Sequence, residues 1–263
     1  AAGASDLAVV AAQKIIDDSG IDPLEIDMLI VPTASPDHIF PATATLVANR
    51  IGAHNAAAFD ILAGCTGFIY GLSLAHGLIA AGTAERILLI GAEQISSYLS
   101  LNERSTAVLF GDGAGAVIVE ATDEDTGLRS IHLGADGNGA PALTATGLGT
   151  EFVGSGEMPR VVMDGAEIFK NAVVRMGEET VDVATKAGWE LDDIDLLIPH
   201  QANIRIIDAV RRRLGASEDK VFINIEKYGN TSAATIPMAL AEAIDQGRVK
   251  PGSKVIFVAF GAG

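Results

Sequence analysis

The feature that most constrains the fold of this chain is an internal repeat. Four pairs of similar segments occur in the same order in its two halves. They are GIDPLEIDMLIVP (20–32) with GWELDDIDLLIP (188–199), RIGA (50–53) with RLGA (213–216), GCT (64–66) with GNT (229–231), and Gly82 with Gly247. Gly82 lies seventeen positions after Cys65, and Gly247 lies seventeen positions after Asn230. Generic α/β periodicity rarely produces four matches in register, so we infer a duplicated unit.

The hydrophobic pattern of each copy alternates strands with helices. We predict helices at Leu7–Ser19 and Thr43–Ile51, and strands at Asp27–Pro32, Ala57–Leu62, Arg86–Gly91, Ala114–Glu120, Arg160–Met163 and Val255–Phe260, with a weak strand at Ser130–Gly134. This alternation predicts an α/β fold with two pseudo-symmetric halves. We assign residues 1–122 to the first half, 123–159 to a connecting strand and variable loop, and 160–263 to the second half.

Each copy lacks an element that the other has. PRVVMDG (159–165) precedes the first helix of the second half and has no counterpart in the first, whereas GAGAVIVEA (113–121) has no counterpart after VIFVAFGAG (255–263). Because a buried parallel sheet needs its neighbouring strands, we expect a strand and loop to be missing at the N-terminus and a strand at the C-terminus. We also expect that these 263 residues do not fold alone.

Composition excludes several classes of function. The net charge of −16 argues against nucleic acid or an anionic membrane as a general partner. No apolar run reaches the roughly 18 residues that span a bilayer, and the N-terminal residues show no signal-peptide pattern. The single cysteine cannot form an internal disulfide, which favours a reducing, cytoplasmic location.

Three polar residues follow strands at positions that the repeat relates. Cys65 and Asn230 occupy equivalent strand-to-helix turns, and His200 follows a strand at the edge where α/β sheets place their sites. A helix N-terminus favours a thiolate, so Cys65 is a candidate nucleophile. Taken singly, the cysteine could be an inert buried residue and the asparagine a helix cap.

Papain-like proteases also use cysteine, histidine and asparagine in this chain order. Their nucleophile lies near the mature N-terminus in a motif with a second cysteine. This chain has GCTGF, no other cysteine and a doubled strand–helix pattern. The protease interpretation is therefore disfavoured.

Four motifs resemble those of the β-ketoacyl-acyl carrier protein synthase III family, condensing enzymes of the thiolase-like fold. They are DILAGCTGFIYGL (60–72), FGDGAGAV (110–117), PHQANIRI (199–206) and YGNTSAATIPMAL (228–240). Thiolases use a second cysteine and the elongating synthases use two histidines, whereas His-Gln-Ala-Asn and Gly-Asn-Thr-Ser are typical of this family. The resemblance implies a five-layered αβαβα fold, with the terminal strands missing from this chain.

The resemblance also implies a reaction. Cys65 would take a short acyl group from acyl-CoA, and malonyl-acyl carrier protein would then lose CO₂ and attack the acyl-cysteine. His200 and Asn230 would donate hydrogen bonds to the enolate oxygen, and the backbone N–H groups of Cys65 and Ala262 would form an oxyanion hole. No metal and no cofactor is expected, since acyl-CoA is a substrate.

Further residues follow from the resemblance alone. Asn203, Arg205, Arg104 and Gly165 would contact CoA, and Phe40 would reach into the acyl pocket of a partner subunit, which implies a homodimer. In so acidic a chain Arg205, Arg211, Arg212 and Arg213 form a basic patch for the acidic carrier protein. The alternative for the three consecutive arginines is a solvated face that complements a helix C-terminus.

Other functions remain open at this point. A related enzyme of secondary metabolism would pass the acyl group to another acceptor, and a non-catalytic partner subunit would be expected to lack the cysteine or histidine. A thiol hydrolase is the weakest alternative. The preference for acyl-chain length is expected to depend on a pocket formed partly by Phe40 of the second subunit and partly by the variable stretch 138–158.

Overall fold

Strands and helices alternate along the chain in the predicted order. The computed structural model describes residues 3–100 and 102–263. Its helices are α1 (Ala4–Ser19), α2 (Thr43–Ile51), α3 (Gly67–Ala80), α4 (Arg104–Ala107), α5 (Gly165–Lys186), α6 (Ile204–Arg213), α7 (Ile225–Tyr228) and α8 (Thr235–Asp245). Its strands are β1 (Met28–Pro32), β2 (Ala57–Ile61), β3 (Arg86–Gln94), β4 (Asp112–Glu120), β5 (Leu143–Thr146), β6 (Arg160–Met163), β7 (Leu196–Pro199) and β8 (Val255–Val258).

The strands form three sheets. The largest has the order β2-β1-β3-β4, in which β1 is parallel to both β2 and β3, and β4 is antiparallel to β3. In the second half β7 pairs in parallel with β8, Leu196 opposite Val255. β5 and β6 form a short antiparallel pair. The carboxyl ends of β1, β2 and β7 therefore carry the turns in which the candidate site residues lie.

Alternate side chains of the parallel strands enter different cores, which defines the layers of the fold. In β1, Leu29 and Val31 join a core with α1 and α2, whereas Ile30 joins a core with α3 and α8. β7 belongs to that second core on one face and to a third core, with α5 and α6, on the other. The order of layers is α1/α2, sheet, α3/α8, sheet, α5/α6. This is the predicted five-layered αβαβα arrangement.

The central layer is packed closely. A Cβ atom on Gly71 of α3 would lie 2.4 Å from Leu89 Cδ1, so only glycine lets this helix approach β3. Phe68 and Ile30 are buried in the same core, and burying each side chain stabilises the fold by roughly 1.5–3 kcal/mol.

Backbone geometry supports the repeat. The glycines that the sequence alignment pairs all have a left-handed φ, between 48° and 80°, where a Cβ atom is strained. The pairs are Gly20 with Gly188, Gly52 with Gly215, Gly64 with Gly229, and Gly82 with Gly247. The two halves therefore turn the chain at the same places for the same reason.

Two sequence predictions differ from the structure. Ser130–Gly134 is not a strand, because its polar groups bond to helices: Ser130 Oγ donates to Val183 O at 2.7 Å, and Tyr70 donates to Gly134 O at 3.3 Å. β3 extends to Gln94, beyond the predicted end at Gly91. Within the described residues, no helix has both the length and the apolar character needed to cross a membrane.

Candidate active site

The three predicted catalytic side chains are buried, and two of them, Cys65 and His200, lie at strand-to-helix connections, whereas Asn230 lies between the short helix α7 and α8. Cys65 is in a single 3₁₀ turn, Gly64–Thr66, between β2 and α3, and is 7 % exposed. His200 follows β7, donates its backbone N–H to Val258 O at 2.8 Å, and is 1 % exposed. Asn230 precedes the turn that opens α8 and is 6 % exposed. Buried polar side chains at such positions need partners, and these partners show how the three residues are connected.

Ser232 connects the three residues. Its N–H donates to Asn230 Oδ1 at 2.9 Å, and its carbonyl accepts from Thr235 Oγ1 at 3.0 Å. Thr235 Oγ1 in turn lies 2.7 Å from His200 Nδ1, and the Ser232 hydroxyl hydrogen-bonds the Cys65 thiol. Sequence reasoning missed this residue, although it lies inside the quoted GNTSAA motif. Its role is visible only in the folded chain, where Ser232 contacts Asn230 and Cys65 directly and His200 through Thr235.

The backbone of Ser232 is unusual. Its φ is +49°, and in the described part of the chain it is the only residue other than glycine with a positive φ. Such a conformation costs about 1–3 kcal/mol and persists only where surrounding contacts enforce it. The contacts of Ser232 are those that orient the candidate catalytic groups.

Two nitrogen atoms are free to act as donors in the cleft. Because Asn230 Oδ1 accepts from Ser232 N–H, the Nδ2 group of the amide points away from that turn. Every buried side-chain nitrogen or oxygen in residues 3–100 and 102–263 has a hydrogen-bond partner. Asn230 Nδ2 and His200 Nε2 take part in no hydrogen bond among these residues, so neither nitrogen is fully buried and both can contact a ligand.

The ionisation of Cys65 differs from the sequence prediction. Burial raises the pKa of the thiol to about 11, and the negative charge of Glu93 adds to that rise. The Ser232 hydroxyl and the backbone N–H groups of Ala262 and Cys65 lower the pKa but do not offset burial. The prediction of a resting thiolate was wrong, since desolvation exceeds the effect of the helix N-terminus.

The pKa of Cys65 gives a direct test. With a pKa of about 11, the thiolate fraction grows about tenfold per pH unit through neutral and mildly alkaline pH. We expect the rate of alkylation by iodoacetamide to rise in that proportion from pH 7 to pH 10, measured by intact mass. A plateau below pH 9 would show instead a thiolate stabilised by the helix.

The turn after β8 packs directly on the nucleophile. A Cβ atom on Gly261 would lie 2.5 Å from Cys65 Cβ and 3.0 Å from its Sγ, so only glycine fits. The next residue, Ala262, hydrogen-bonds the Cys65 thiol through its backbone. The backbone N–H groups of Cys65 and Ala262 therefore lie next to the nucleophile, and their role as an oxyanion hole for the thioester oxygen remains a prediction.

His200 is a neutral donor. Burial lowers its pKa to about 3, so the imidazole carries no charge at neutral pH. A hydroxyl has one proton, so Thr235 can donate either to Ser232 O or to His200 Nδ1. When it donates to Nδ1, the ring hydrogen lies on Nε2 and points to the cleft. The predicted donor role of His200 therefore requires Thr235 to donate to Nδ1, because donation to Ser232 O would leave the ring hydrogen on Nδ1 and make Nε2 an acceptor.

Replacing Thr235 by valine tests this role. The variant keeps the shape of the side chain but removes the hydroxyl that holds Nδ1 of His200. We expect condensation to fall about tenfold to a hundredfold, less than the loss of a whole oxyanion donor, while loading of Cys65 is retained. Thr235→Ser, which keeps the hydroxyl, should restore condensation. Equal losses in both half-reactions would indicate a general packing defect instead.

The residues predicted to contact CoA lie at helix starts. Asn203 caps α6 by accepting from Arg205 N at 2.9 Å. Arg104 begins α4, and Gly165 begins α5 after its cap residue Asp164. Arg104, Arg205 and Gly165 are exposed. Their contact with CoA remains a prediction.

The predicted basic patch is largely neutralised. Arg211 Nη2 and Arg212 Nη1 lie 2.8 and 3.0 Å from the Asp208 carboxylate. Arg213 pairs with Glu178 at 3.7 Å. Arg205 takes part in no salt bridge among the described residues. Three of the four charges are therefore matched, which favours the alternative of a solvated, paired face for the arginine run.

Among the described residues, one group places metal-ligating atoms together. His132, Glu179 and Asp182 have such atoms within 4.8 Å of one another. Lys186 Nζ already pairs with Asp182 Oδ2 at 2.6 Å, and His132 lies against Glu179. The contacts describe an ion-pair cluster, and the expectation that the reaction needs no metal stays a prediction.

Comparison with known proteins agrees with this arrangement. The family model for 3-oxoacyl-[acyl-carrier-protein] synthase III matches residues 59–137, and the model for the C-terminal part of that enzyme matches residues 184–263. A β-ketoacyl-[acyl-carrier-protein] synthase III from Caldanaerobacter subterraneus subsp. tengcongensis is 46% identical over 264 residues, which cover 98% of this chain and 80% of that protein.

Solved structures give the same result. The synthase III of Thermus thermophilus matches with a TM-score of 0.92 and 47% identity over 98% of this chain and 80% of its own. The priming β-ketosynthase of the R1128 polyketide pathway matches with a TM-score of 0.93 and 34% identity, over 98% of this chain and 78% of its own. With this similarity and the connected Cys65, His200 and Asn230, the chain belongs to the 3-oxoacyl-[acyl-carrier-protein] synthase III family of condensing enzymes.

Proposed function

We propose that this protein initiates fatty-acid synthesis by condensing an acyl group from acyl-CoA with malonyl-acyl carrier protein. The observation that carries the proposal is the arrangement around Ser232. It joins the only cysteine, at the start of α3, to two side chains whose N–H donors are free. In a member of this family, that arrangement supplies a nucleophile and the donors for a developing enolate.

In the first half-reaction Cys65 is acylated. Its sulfur attacks the thioester carbonyl, and the resulting oxyanion accepts from the N–H groups of Cys65 and Ala262. The carbon–sulfur bond to CoA then breaks. Because the resting group is a thiol rather than a thiolate, its proton passes to the departing CoA sulfur. The products are an acyl-cysteine and free CoA thiol.

In the second half-reaction malonyl-acyl carrier protein loses CO₂. The electron pair of the broken carbon–carbon bond becomes an enolate, whose oxygen accepts from Asn230 Nδ2 and His200 Nε2. Each such donor is worth about 2.7–4 kcal/mol of transition-state stabilisation. The enolate carbon attacks the acyl-cysteine, a new carbon–carbon bond forms, and Cys65 leaves and is reprotonated. No step needs a strong base, a metal or a redox cofactor, so we propose none.

We also propose how the substrates and a second subunit bind. Asn203, Arg104, Arg205 and Gly165 contact CoA, and Arg205 contacts the carrier protein. Phe40 is 84 % exposed beside Ile39, which is 90 % exposed. Two large apolar side chains so exposed support insertion into a second copy of the chain, hence a homodimer. A thiol nucleophile must stay reduced, which supports a cytoplasmic location.

The length of the acyl chain depends on the connecting loop. The cleft at Gly64 and Ala262 is also lined by residues 142–145 and 148–149. We therefore propose that this loop forms part of the acyl pocket and sets the preferred primer.

Intact-mass measurement of the full-length protein with a panel of acyl-CoAs tests the function. We expect a mass gain of one acyl group, followed by release of CO₂ and formation of 3-ketoacyl carrier protein when malonyl-acyl carrier protein is added. Loading without condensation would point to a relative that uses another acceptor, the alternative that the similarity to a polyketide-priming enzyme favours. No loading from any acyl-CoA would contradict the first half-reaction.

A further inference from the structure

A buried carboxylate lies next to this active site without a role in the reaction described above. Glu93, near the end of β3, is 0 % exposed, and it is the only aspartate or glutamate among the buried residues of the described chain. It takes part in none of the salt bridges of those residues. Burying an unpaired carboxylate is costly, so its surroundings must stabilise it in another way.

Neutral donors surround both oxygens of Glu93. Oε2 accepts from Ser35 Oγ at 2.6 Å, Ala34 N at 3.0 Å and Thr33 Oγ1 at 3.4 Å. Oε1 accepts from Ala34 N at 3.2 Å and Ala233 N at 3.4 Å. Ser35 Oγ itself accepts from Gln94 N, so its proton is directed to Glu93. Burial raises the pKa of this carboxyl group above its ordinary value, and the hydrogen bonds from these donors oppose that rise.

One of these donors belongs to the second half of the molecule. Ala233 lies in the Ser232–Ala234 turn, immediately after Asn230. A Cβ atom on Gly91, two residues before Glu93, would lie 2.3 Å from Ala233 O. The turn that orients Asn230 thus rests directly on β3, with the Glu93 carboxylate at the contact.

The same carboxylate acts on the thiol. Burial is the largest cause that raises the pKa of Cys65, the negative charge of Glu93 adds to it, and the Ser232 hydroxyl bonds both groups. The other titratable group near Glu93 is Tyr98, whose pKa rises through burial and through the charges of Glu93 and Asp37. His200, on the far side of Ser232, is neutral.

We propose that Glu93 is a positioning residue of this active site: its carboxyl group accepts from Ala34 N–H and Ala233 N–H and so holds the Ser232–Ala234 turn against β3. That turn in its place fixes Asn230 through Ser232 N–H. The inference rests on the proposed role of Asn230 in condensation, but a wild-type protein that loads and condenses would leave the proposed function intact even if a Glu93 variant behaved like wild type, so the two can fail separately.

The role is tested with Glu93→Gln, which keeps the size of the side chain. Glu124→Gln, which removes an exposed carboxylate, is the matched control. A role in packing alone would lower the melting temperature and reduce acyl loading and condensation to the same extent, and that result would overturn the proposal.

The positioning role has its own readout. A glutamine amide has one oxygen, so it cannot accept from Ser35 Oγ at one position and from Ala233 N–H at the other as the carboxylate does. We expect the ratio of condensation to acyl loading to fall about tenfold in Glu93→Gln and to stay at the wild-type value in Glu124→Gln. An unchanged ratio would show that Glu93 does not position the turn.

Discussion

Replacing Cys65 by alanine is expected to abolish acyl loading and to lower condensation by at least about a thousandfold. Without the sulfur no covalent intermediate forms, and the enolate has no acyl-enzyme to attack. Intact mass spectrometry with acyl-CoA and a product assay with malonyl-acyl carrier protein measure the two losses. Residual condensation above about one per cent of the wild-type rate would contradict the proposed nucleophile.

The fold should survive this change. Alanine keeps the Cβ atom against which Gly261 packs, and the buried sulfur is a small part of the core. Cys65→Ser fills the space of the sulfur with a much weaker nucleophile, so it separates the loss of volume from the loss of chemistry. Both variants should fail to load an acyl group and should melt close to the wild-type protein.

The Cys65→Ala variant should still release CO₂. Asn230 is held by Ser232 N–H and His200 by Thr235, and neither bond involves Cys65. The donors for the enolate therefore stay in place, and malonyl-acyl carrier protein should be decarboxylated without formation of a new carbon–carbon bond. Measuring CO₂ and 3-ketoacyl product together distinguishes this result from a collapsed active site, which would give neither.

The repeat is the reason that so much was predictable from the sequence. Turns such as Gly64 and Gly229 need a left-handed backbone, so glycine recurs at the same place in both copies. Once those positions are aligned, Cys65 and Asn230 must occupy equivalent turns. Strands that are buried on both faces are continuous apolar runs in the sequence. Such runs located β1 and β7, and His200 was located because it directly follows β7.

Glu93 and Ser232 were missed because their roles depend on contacts between the halves. The sequence predicts the end of this strand at Gly91, a residue that often ends strands, but β3 continues to Gln94. Only glycine fits at position 91, because the carbonyl oxygen of Ala233 lies too close for a side chain. An acidic residue two positions after a buried run was the available signal for a buried carboxylate.

The ionisation of Cys65 shows the limit of local reasoning. A helix N-terminus is visible in the sequence, and it does favour a thiolate. Burial among residues from both halves is not visible, and it has the larger effect on the pKa. The arginine run differs in this respect, because Asp208 lies three and four positions before Arg211 and Arg212, a spacing that predicts ion pairs on a helix.

Changing Asn230 to aspartate is expected to lower condensation by about a hundredfold to a thousandfold, with acyl loading of Cys65 within a few-fold of wild type. The side chains are nearly the same shape, and one carboxylate oxygen still accepts from Ser232 N–H. The other oxygen replaces the Nδ2 donor and opposes the negative charge that develops on the enolate. Losing one such donor costs about 2.7–4 kcal/mol.

The backbone of residue 230 should not move in this variant. Its N–H donates to Leu109 O at 2.8 Å and its carbonyl accepts from Gly111 N at 2.9 Å, independently of the side chain. Asn55→Asp is a matched control, because Asn55 is an exposed asparagine whose amide donates to Leu24 O. It should leave both half-reactions at the wild-type rate.

The ratio of the two half-reactions decides what Asn230 does. Loading depends on Cys65 and on the backbone N–H of Ala262, which Asn230 does not contact through any described hydrogen bond. A donor to the enolate therefore changes condensation alone, and acidic pH, which protonates the new carboxyl group, should restore part of the rate. If loading fell as far as condensation, the contact between Asn230 and Ser232 would support the nucleophile as well, and Asn230 would be a structural residue of the site rather than a donor.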